Sequence, residues 1–298
     1  MLLRALAALP DRAGLVLGAA FGRGWVRLGF PRTHDARVNL RIAFPEWSEA
    51  ERERVLVHSF ENMGRSLVEL AWVGRRSPET HAARVRFEGL EHLEAARARA
   101  AAGGLIMLTA HFGSWELFAA AMAAHGHAVA VVFRARDDAG FDEVLRERRL
   151  EAGTQYLARG SAALGVVKAL RRGAILALPF DQNVRAQDGV FVPFFGRLAC
   201  TRSGPVQIAM STGAPVLPMF MHRDPRDPTR HVVRIRAAIT LDSGGDEDAA
   251  LLENTRRMTR AIESEIRAAP ELWAWVHRRW RTQPPGEPRP AYRRERRY

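Results

Sequence analysis

The chain has 298 residues, and 45 Lys and Arg against 33 Asp and Glu give it a formal net charge of +12. Its 47% hydrophobic and 26% charged residues are typical of a globular protein and exclude a disordered or fully membrane-embedded chain. The charge favours anionic partners, such as a membrane surface or an acidic protein. The sequence carries no zinc-finger, homeodomain or RNA-binding signature, so we expect no nucleic acid partner. A single cysteine excludes an internal disulfide framework.

Residues 1–36 predict a membrane-associating helical segment. The stretch from Leu2 to Phe30 is rich in Leu, Ala, Val and Gly, but five charged residues interrupt it: Arg4, Asp11, Arg12, Arg23 and Arg27. This pattern is too interrupted for a transmembrane helix and favours a helix that lies in the membrane interface. The stretch has no convincing cleavage site, so we do not predict a signal peptide.

Residues 37–285 predict one α/β domain, because no linker divides them. A capping-box pattern, Ser48-x-x-Glu51, marks a helix start before the sheet. Short apolar runs then alternate with helical patterns, which predicts a mixed, mainly parallel central sheet flanked by helices. The predicted strands cover residues 85–89, 105–109, 128–133, 154–157, 174–179, 190–196, 216–221 and 232–239, the last as an exposed strand. A helix is predicted over 254–266, and the basic, proline-rich residues 286–298 are expected to form a mobile tail.

The most informative motif follows the apolar run Gly104–Ala110, which reads as a buried strand. His111 comes directly after this strand, and Glu116 follows five positions later. On a regular helix the two would lie about 140° apart, so His111 must precede the helix. Glu116 in the first helical turn can then reach one imidazole nitrogen and leave the other to accept a proton, as a general-base dyad does. A structural histidine, and a glutamate favoured by the helix dipole, remain the alternative.

Polar residues follow three of the predicted strands, namely His111, Arg134 and Asp181. Ligands of open α/β sheets bind at the carboxyl ends of the strands, so we expect the three to converge. Arg134 is the candidate cation for a developing oxyanion or for a phosphate, or else an ion-pair partner that shapes the pocket. Arg202 precedes a predicted helix, where it and the backbone amides could bind an anion.

Other catalytic arrangements are not supported. His125 and His127 lie beside Gly126 at a predicted helix end, and the sequence has no His-Glu-x-x-His, so no metal is expected. The glycines near Lys168 lack the ending of a phosphate-binding loop. Cys200 has no nearby histidine in the sequence and reads as a small buried residue.

Several separated motifs occur in the order of one family, and the chain resembles the bacterial lipid A lauroyl/myristoyl acyltransferases of the lysophospholipid acyltransferase superfamily. The resemblance runs from about Arg37 to Pro285. The motifs are His111 to Glu116, Phe133-Arg134, Leu178 to Gln182, Val190 to Gly196, Thr201 to Pro205 and Pro270 to Trp280. Position 114 departs mildly, with Ser in place of the usual Asn.

The resemblance implies a direct attack of a lipid hydroxyl on a fatty acyl thioester, with His111 as base and Glu116 as its carboxylate. It implies no cofactor, an acyl carrier protein or CoA thioester as co-substrate, and a location on the cytoplasmic face of a bacterial inner membrane, either peripheral or shallowly anchored. It places Asp181 and Gln182 at the floor of the site, unless they are only a cap or turn, and His277 and Arg278 in the wall of the acyl or lipid groove.

Alternatives to a lipid A precursor as acceptor stay open at this point. One is the acylation of another glycolipid or a lysophospholipid, because the dyad is shared across the superfamily. The other is a noncatalytic basic lipid-binding protein. Acyl length and oligomeric state cannot be read from the sequence.

Overall fold

The fold was analysed in a computed structural model, which describes residues 6–73, 75–100, 103–133, 146–147, 150–158 and 162–292. The helices in this part of the chain are α1 (Asp11–Arg27), α2 (Thr33–Ala43), α3 (Glu49–Trp72), α4 (Pro78–Ala82), α5 (Leu90–Arg99), α6 (Trp115–Ala124), α7 (Ala162–Arg171), α8 (Gly204–Thr212) and α9 (Glu247–Ala268). Short 3-10 turns cover Ala186–Asp188 and Pro270–Leu272.

The strands in chain order are β1 (Val85–Glu88), β2 (Leu105–Thr109), β3 (Val129–Phe133), β4 (Thr154–Ala158), β5 (Ile175–Pro179), β6 (Gly189–Phe194), β7 (Arg197–Arg202), β8 (Val216–Arg223) and β9 (His231–Ile235). Seven of them form one sheet in the order β1-β9-β8-β2-β5-β3-β4, and β6 and β7 form a separate hairpin. In the larger sheet only β8 and β9 pair antiparallel. The predicted α/β fold with a mixed, mainly parallel sheet is confirmed.

The long helix α3 begins where its sequence predicts. The Ser48 hydroxyl accepts a hydrogen bond from the backbone N–H of Glu51 at 3.2 Å, and the Glu51 carboxylate accepts one from the Ser48 N–H at 2.7 Å. This reciprocal pair satisfies two backbone donors that the first helical turn leaves free. The predicted capping box is therefore confirmed.

Strand β2 lies in the middle of the sheet between β5 and β8, and all five of its side chains are buried. In the parallel pair of β2 and β5, Thr109 is level with Pro179. Residues two positions beyond these, His111 and Asp181, therefore leave the sheet side by side. This register builds the site described below.

Strand β9 differs from its predicted exposed state. It pairs with β1 on one side and with β8 on the other, and Val232, Val233 and Ile235 are buried. Its arginines gave the strand an exposed appearance, but they are paired with carboxylates. Arg234 lies 3.3 Å from Glu88, and Arg236, just beyond the strand, lies 3.0 Å from Glu265.

Helix α1 packs directly on α3 through glycines. A Cβ atom on Gly22 would lie 2.0 Å from the carbonyl oxygen of Phe60, and one on Gly64 would lie 1.9 Å from that of Gly18. Such backbone contact is possible only without side chains. The predicted N-terminal segment is thus packed against the domain, and within the described residues no helix is both long and apolar enough to cross a membrane.

The start of the predicted mobile tail lies against the domain instead. The Tyr292 hydroxyl donates a hydrogen bond to the Asn39 side-chain oxygen at 2.5 Å, and His34 Nε2 lies 2.9 Å from the carbonyl oxygen of Ala291. The mobile tail was predicted from its content of arginine and proline. That composition does not show that the Tyr292 hydroxyl has a hydrogen-bonding partner in the domain. Residues 293–298 of the predicted tail lie outside the described residues.

Candidate active site

His111 and Asp181 form a hydrogen-bonded pair at the carboxyl ends of β2 and β5. His111 Nδ1 lies 2.9 Å from Asp181 Oδ1, and the His111 backbone N–H donates to Oδ2 at 3.0 Å. The Trp273 indole N–H also donates to Oδ2, at 2.8 Å. Asp181 is 1% exposed, so these three hydrogen bonds replace those that water would make with an exposed carboxylate. The predicted convergence of polar residues is confirmed for this pair.

Asp181 is a carboxylate despite its burial. Burial by itself raises the pKa of an acid, but the attraction of a protonated His111, the hydrogen bonds from His111 and Trp273, and the neighbouring His277 together lower the pKa of Asp181 well below its ordinary value. A carboxylate only accepts hydrogen bonds, so Nδ1 of His111 must carry the hydrogen. In the neutral imidazole, the other ring nitrogen, Nε2, then presents its lone pair to the site.

Nε2 of His111 faces two further polar side chains. The Gln182 amide nitrogen lies 3.3 Å from it and 3.4 Å from Nε2 of His277. The His111 and His277 rings are 4.9 Å apart between centroids. The structure therefore brings together four of the predicted site residues, His111, Asp181, Gln182 and His277.

The carboxylate at Nδ1 of His111 is the one that follows strand β5. The sequence assigned the orienting carboxylate to Glu116 and placed Asp181 among the substrate-binding residues, but at Nδ1 this role is filled by Asp181. The cause is the strand order, which puts β5 beside β2. Glu116 lies in the first turn of α6 and lines an apolar cavity with Trp115. Its part in the reaction stays a prediction.

Two side chains of helix α3 form hydrogen bonds with the turn that follows His111. Gly113 has a φ of +60°, and a Cβ atom there would lie 1.8 Å from the carbonyl oxygen of Met221. Its own carbonyl oxygen accepts hydrogen bonds from the Ser66 hydroxyl at 2.9 Å and the Asn62 amide at 3.3 Å. Sequence reasoning missed Asn62 and Ser66, because they form no motif and are 47 to 51 residues away.

A buried ion pair extends this support. Arg223 Nε donates to the Asn62 side-chain oxygen at 3.2 Å, and its guanidinium binds both Glu69 oxygens at 2.5 and 2.8 Å. Burial works to raise the pKa of Glu69, but Arg223 and His231 outweigh it and the pKa lies well below the ordinary value. A fixed buried pair thus holds Asn62, which in turn holds the turn that carries His111.

Besides Asn62 and Ser66, sequence reasoning missed Arg279, which is fully buried. Its guanidinium donates to the Cys200 carbonyl oxygen at 2.8 Å and to the Thr201 hydroxyl at 2.5 Å. Burial lowers its pKa to about 10, so it is a cation at neutral pH. Arg279 ties the segment from Pro270 to Trp280, called the closing segment below, to strand β7. The place of Arg279 in this family motif was the available signal.

The remaining predicted site arginines have different surroundings. Arg278 Nε donates to the buried Asp35 at 2.7 Å, which ties the closing segment to α2. Arg202 ends β7 and lines a polar cavity together with Gln182. Substrate contacts of both arginines stay predictions, and Arg134 lies outside the described residues.

Two cavities have lining residues that neighbour His111. The apolar cavity, of about 550 Å³, lies between α1, α3 and the start of α6, and its lining includes Phe21, Met63, Leu67, Trp115 and Glu116. The other, called the polar cavity because it is the more polar of the two, has a volume of about 1030 Å³. Its lining is mixed: aliphatic side chains accompany the polar residues Gln182, Asn183, Arg202, Glu247 and Asp248. The His111 ring packs edge-on against Trp115 at 5.5 Å and lies beside Gln182, so it contacts residues of both cavities.

No metal cluster accompanies this site in the described part of the chain. There, no group of three or more His, Cys, Asp or Glu side chains is arranged to hold an ion. The described residues pair a histidine with a buried carboxylate, near an apolar cavity. A histidine in such a pair can act as a general base, which is chemistry that an enzyme acting on acyl chains or lipids would use.

Comparison with known proteins gives the family. Residues 1–282 match the family described as bacterial lipid A biosynthesis acyltransferase, so the chain belongs to that family and is an acyltransferase.

Curated relatives agree. The lipid A biosynthesis lauroyltransferase of Escherichia coli (strain K12) is 29% identical over 91% of this chain and 86% of its own. The palmitoleoyltransferase of that strain is 31% identical over 85% of this chain and 79% of its own. Among solved structures, the 1-acyl-sn-glycerophosphate (LPA) acyltransferase, PlsC, from Thermotoga maritima aligns with 84% of this chain and 96% of its own, at 15% identity and a TM-score of 0.36.

Proposed function

We propose that this acyltransferase moves a fatty acyl chain from an acyl carrier protein or CoA thioester to a hydroxyl group of a lipid A precursor. The observation that carries the proposal is the His111 and Asp181 pair, in which His111 neighbours Trp115 of the apolar cavity and Gln182 of the polar cavity. The family match and the names of the relatives support the lipid A acceptor.

The proposed reaction uses Nε2 of His111 as the general base. It takes the proton of the acceptor hydroxyl as the oxygen attacks the thioester carbonyl carbon, and Asp181 stabilises the imidazolium that forms. The tetrahedral intermediate then collapses: the new C–O ester bond stays, the C–S bond breaks, and the imidazolium returns the proton to the leaving sulfur. No covalent acyl-enzyme is needed.

The two cavities suit the two substrates. The apolar cavity is walled by aromatic and aliphatic side chains and takes the acyl chain, whose burial contributes about 0.8 kcal/mol per methylene group. The polar cavity, with Gln182 and Arg202 in its wall, takes the sugar or phosphate part of a substrate. Arg134, predicted to stabilise the oxyanion or a phosphate, keeps that predicted role.

We further propose that the enzyme works at the cytoplasmic face of the inner membrane, where it is held peripherally by its N-terminal segment. The exposed apolar side chains of α1 and the turn after it support this placement: Val16, Leu17, Phe21, Leu28 and Phe30.

The proposal is tested by incubating the purified protein with acyl carrier protein and CoA thioesters of several chain lengths and a panel of lipid acceptors. Products are identified by mass spectrometry. We expect acylation of a lipid A precursor, and a loss of about 10²- to 10⁴-fold in H111A. The control is H92A, because His92 is a partly exposed histidine on α5 that belongs to neither cavity.

Three outcomes would contradict the proposal in different ways. If H111A kept the normal rate, the catalytic role of the pair would be wrong. If another glycolipid or a lysophospholipid were acylated in preference, the acceptor would be wrong. If no thioester reacted with any acceptor, the noncatalytic lipid-binding alternative would gain.

A further inference from the structure

A groove lined by arginines lies on the outer flank of α1, on the side away from the apolar cavity. We call it the arginine groove; it has a volume of about 370 Å³, and its four cationic side chains are Arg12, Arg23, Arg65 and Arg226. The floor is apolar and includes Leu15 and Ala19. No acidic residue is among the residues of its lining.

The positive charge of the groove is only partly neutralised. One carboxylate, Glu61, serves two of the arginines, at 2.6 Å from Arg23 and 3.4 Å from Arg65. Within the part of the chain that the structure describes, Arg12 and Arg226 have no ion pair within 4 Å. Burial, followed by the nearby Arg223 cation, lowers the pKa of Arg65, as expected where cations are crowded.

Two aspartates in the adjoining loop complete the charge inventory. Asp224 accepts hydrogen bonds from the backbone N–H groups of Arg226 and Asp227, at 2.8 and 3.3 Å. Asp227 accepts two from Thr229 and lies 3.6 Å from Arg230. Hydrogen bonds are the largest causes that lower the pKa of both carboxylates, and the Arg226 cation adds to this for Asp224, as the Arg12 cation does for Asp227. Counting Glu61 with these two aspartates, three carboxylates face the four arginines of the groove, which keeps an excess of positive charge.

The groove continues into the exposed apolar surface of α1. Val16, which is also in the groove wall, is 67% exposed, and Leu17 and Phe21 are 53% and 54% exposed. Phe21 in turn lines the apolar cavity on the opposite flank of the helix. Across α1 the surface thus runs from cations, through exposed hydrophobic side chains, to the cavity proposed for the acyl chain.

A surface that changes from cationic to apolar in this way matches one leaflet of a lipid bilayer, in which charged headgroups lie above hydrocarbon tails. We propose that the arginine groove binds the phosphate headgroup of an anionic phospholipid in the membrane, and so orients α1 with its apolar side chains among the lipid tails. An acidic protein surface would match the cations but not the apolar floor and the adjoining hydrophobic side chains. The inference rests on the proposed function only for the placement of the enzyme at the membrane.

The test measures binding of the full chain to vesicles of phosphatidylcholine alone, and to vesicles with added phosphatidylglycerol, by flotation. The R12Q/R226Q variant removes two groove cations that lack ion pairs. We expect the wild type to prefer the anionic vesicles and the variant to bind them about 10- to 30-fold more weakly. The control is R171Q/R172Q, which removes the same charge from two exposed residues at the end of α7 and should lose less than about threefold.

The outcomes separate the groove from general electrostatics and from the active site. Normal binding by R12Q/R226Q, or an equal loss in the control, would overturn the proposal. Acyl transfer to a detergent-solubilised acceptor should be unchanged in R12Q/R226Q. A loss there would instead assign the groove to binding of the acceptor itself. Vesicle binding is read independently, so it stands even if no acyl transfer is found.

Discussion

The side chain at Nδ1 of His111 decides how its imidazole is oriented. Asp181 accepts three hydrogen bonds, from the imidazole, from a backbone N–H and from an indole, so its position is fixed. In the proposed reaction, a negative charge held there stabilises the imidazolium that forms. Glu116, by contrast, is part of the apolar cavity wall. The two carboxylates are expected to contribute unequally.

We predict that D181N lowers kcat by about 10²- to 10⁴-fold and E116Q by less. Loss of the negative charge also makes protonation of His111 less favourable, so the acidic limb of the pH–rate profile should move to lower pH in D181N. The measurements are pH–rate profiles of both variants and thermal unfolding to check folding. A larger loss in E116Q than in D181N would restore the pairing first predicted from the sequence.

At the scale of elements, helix α3 supports the turn that follows His111. Its capping box and its apolar spacing could be recognised in the sequence, and both are present in the fold. Its polar contacts with the turn could not be predicted. Ser66 and Asn62 read as ordinary polar residues until the fold brings α3 behind Gly113.

We predict that S66A lowers kcat about tenfold with little change in KM, because the loosened turn misplaces His111. Ser66 also lines the apolar cavity, but its hydroxyl donates to Gly113, so its removal takes little from the binding of an acyl chain. The loss of the buried hydrogen bond should also cost about 1 kcal/mol of unfolding free energy. T255V is the control, since it removes a buried hydroxyl that bonds to Leu251 in the remote helix α9. Equal changes in kcat for both variants would show that S66A acts through stability alone.

At the scale of the whole molecule, the apolar cavity exists only because the N-terminal helices pack on the α/β layer. Its wall combines α1, α3, the start of α6 and Val276 of the closing segment. The glycine contacts between α1 and α3 fix the distance between the two helices, and so the width of the cavity. In the proposed function this cavity takes the acyl chain, so the assembled fold would set the chain length that the enzyme accepts.

We predict that L67W, which fills part of this cavity, shifts the preferred acyl donor to a shorter chain. The selectivity against longer donors should grow by about fourfold for each methylene group that the indole excludes. The measurement is kcat/KM over a series of thioesters, with L164W as control because Leu164 is 77% exposed on α7. An unchanged preference in L67W would mean that the acyl chain binds elsewhere.

The sequence by itself determined the alternation of strands and helices, the start of α3, and a histidine at the end of a buried strand. These are local features, because periodicity and capping depend on residues a few positions apart. Only the tertiary structure decided that Asp181 is the partner of His111 at Nδ1, that α3 holds the turn, and that β9 is buried. These depend on strand order and on contacts between residues about 50 to 70 positions apart, which no local pattern encodes.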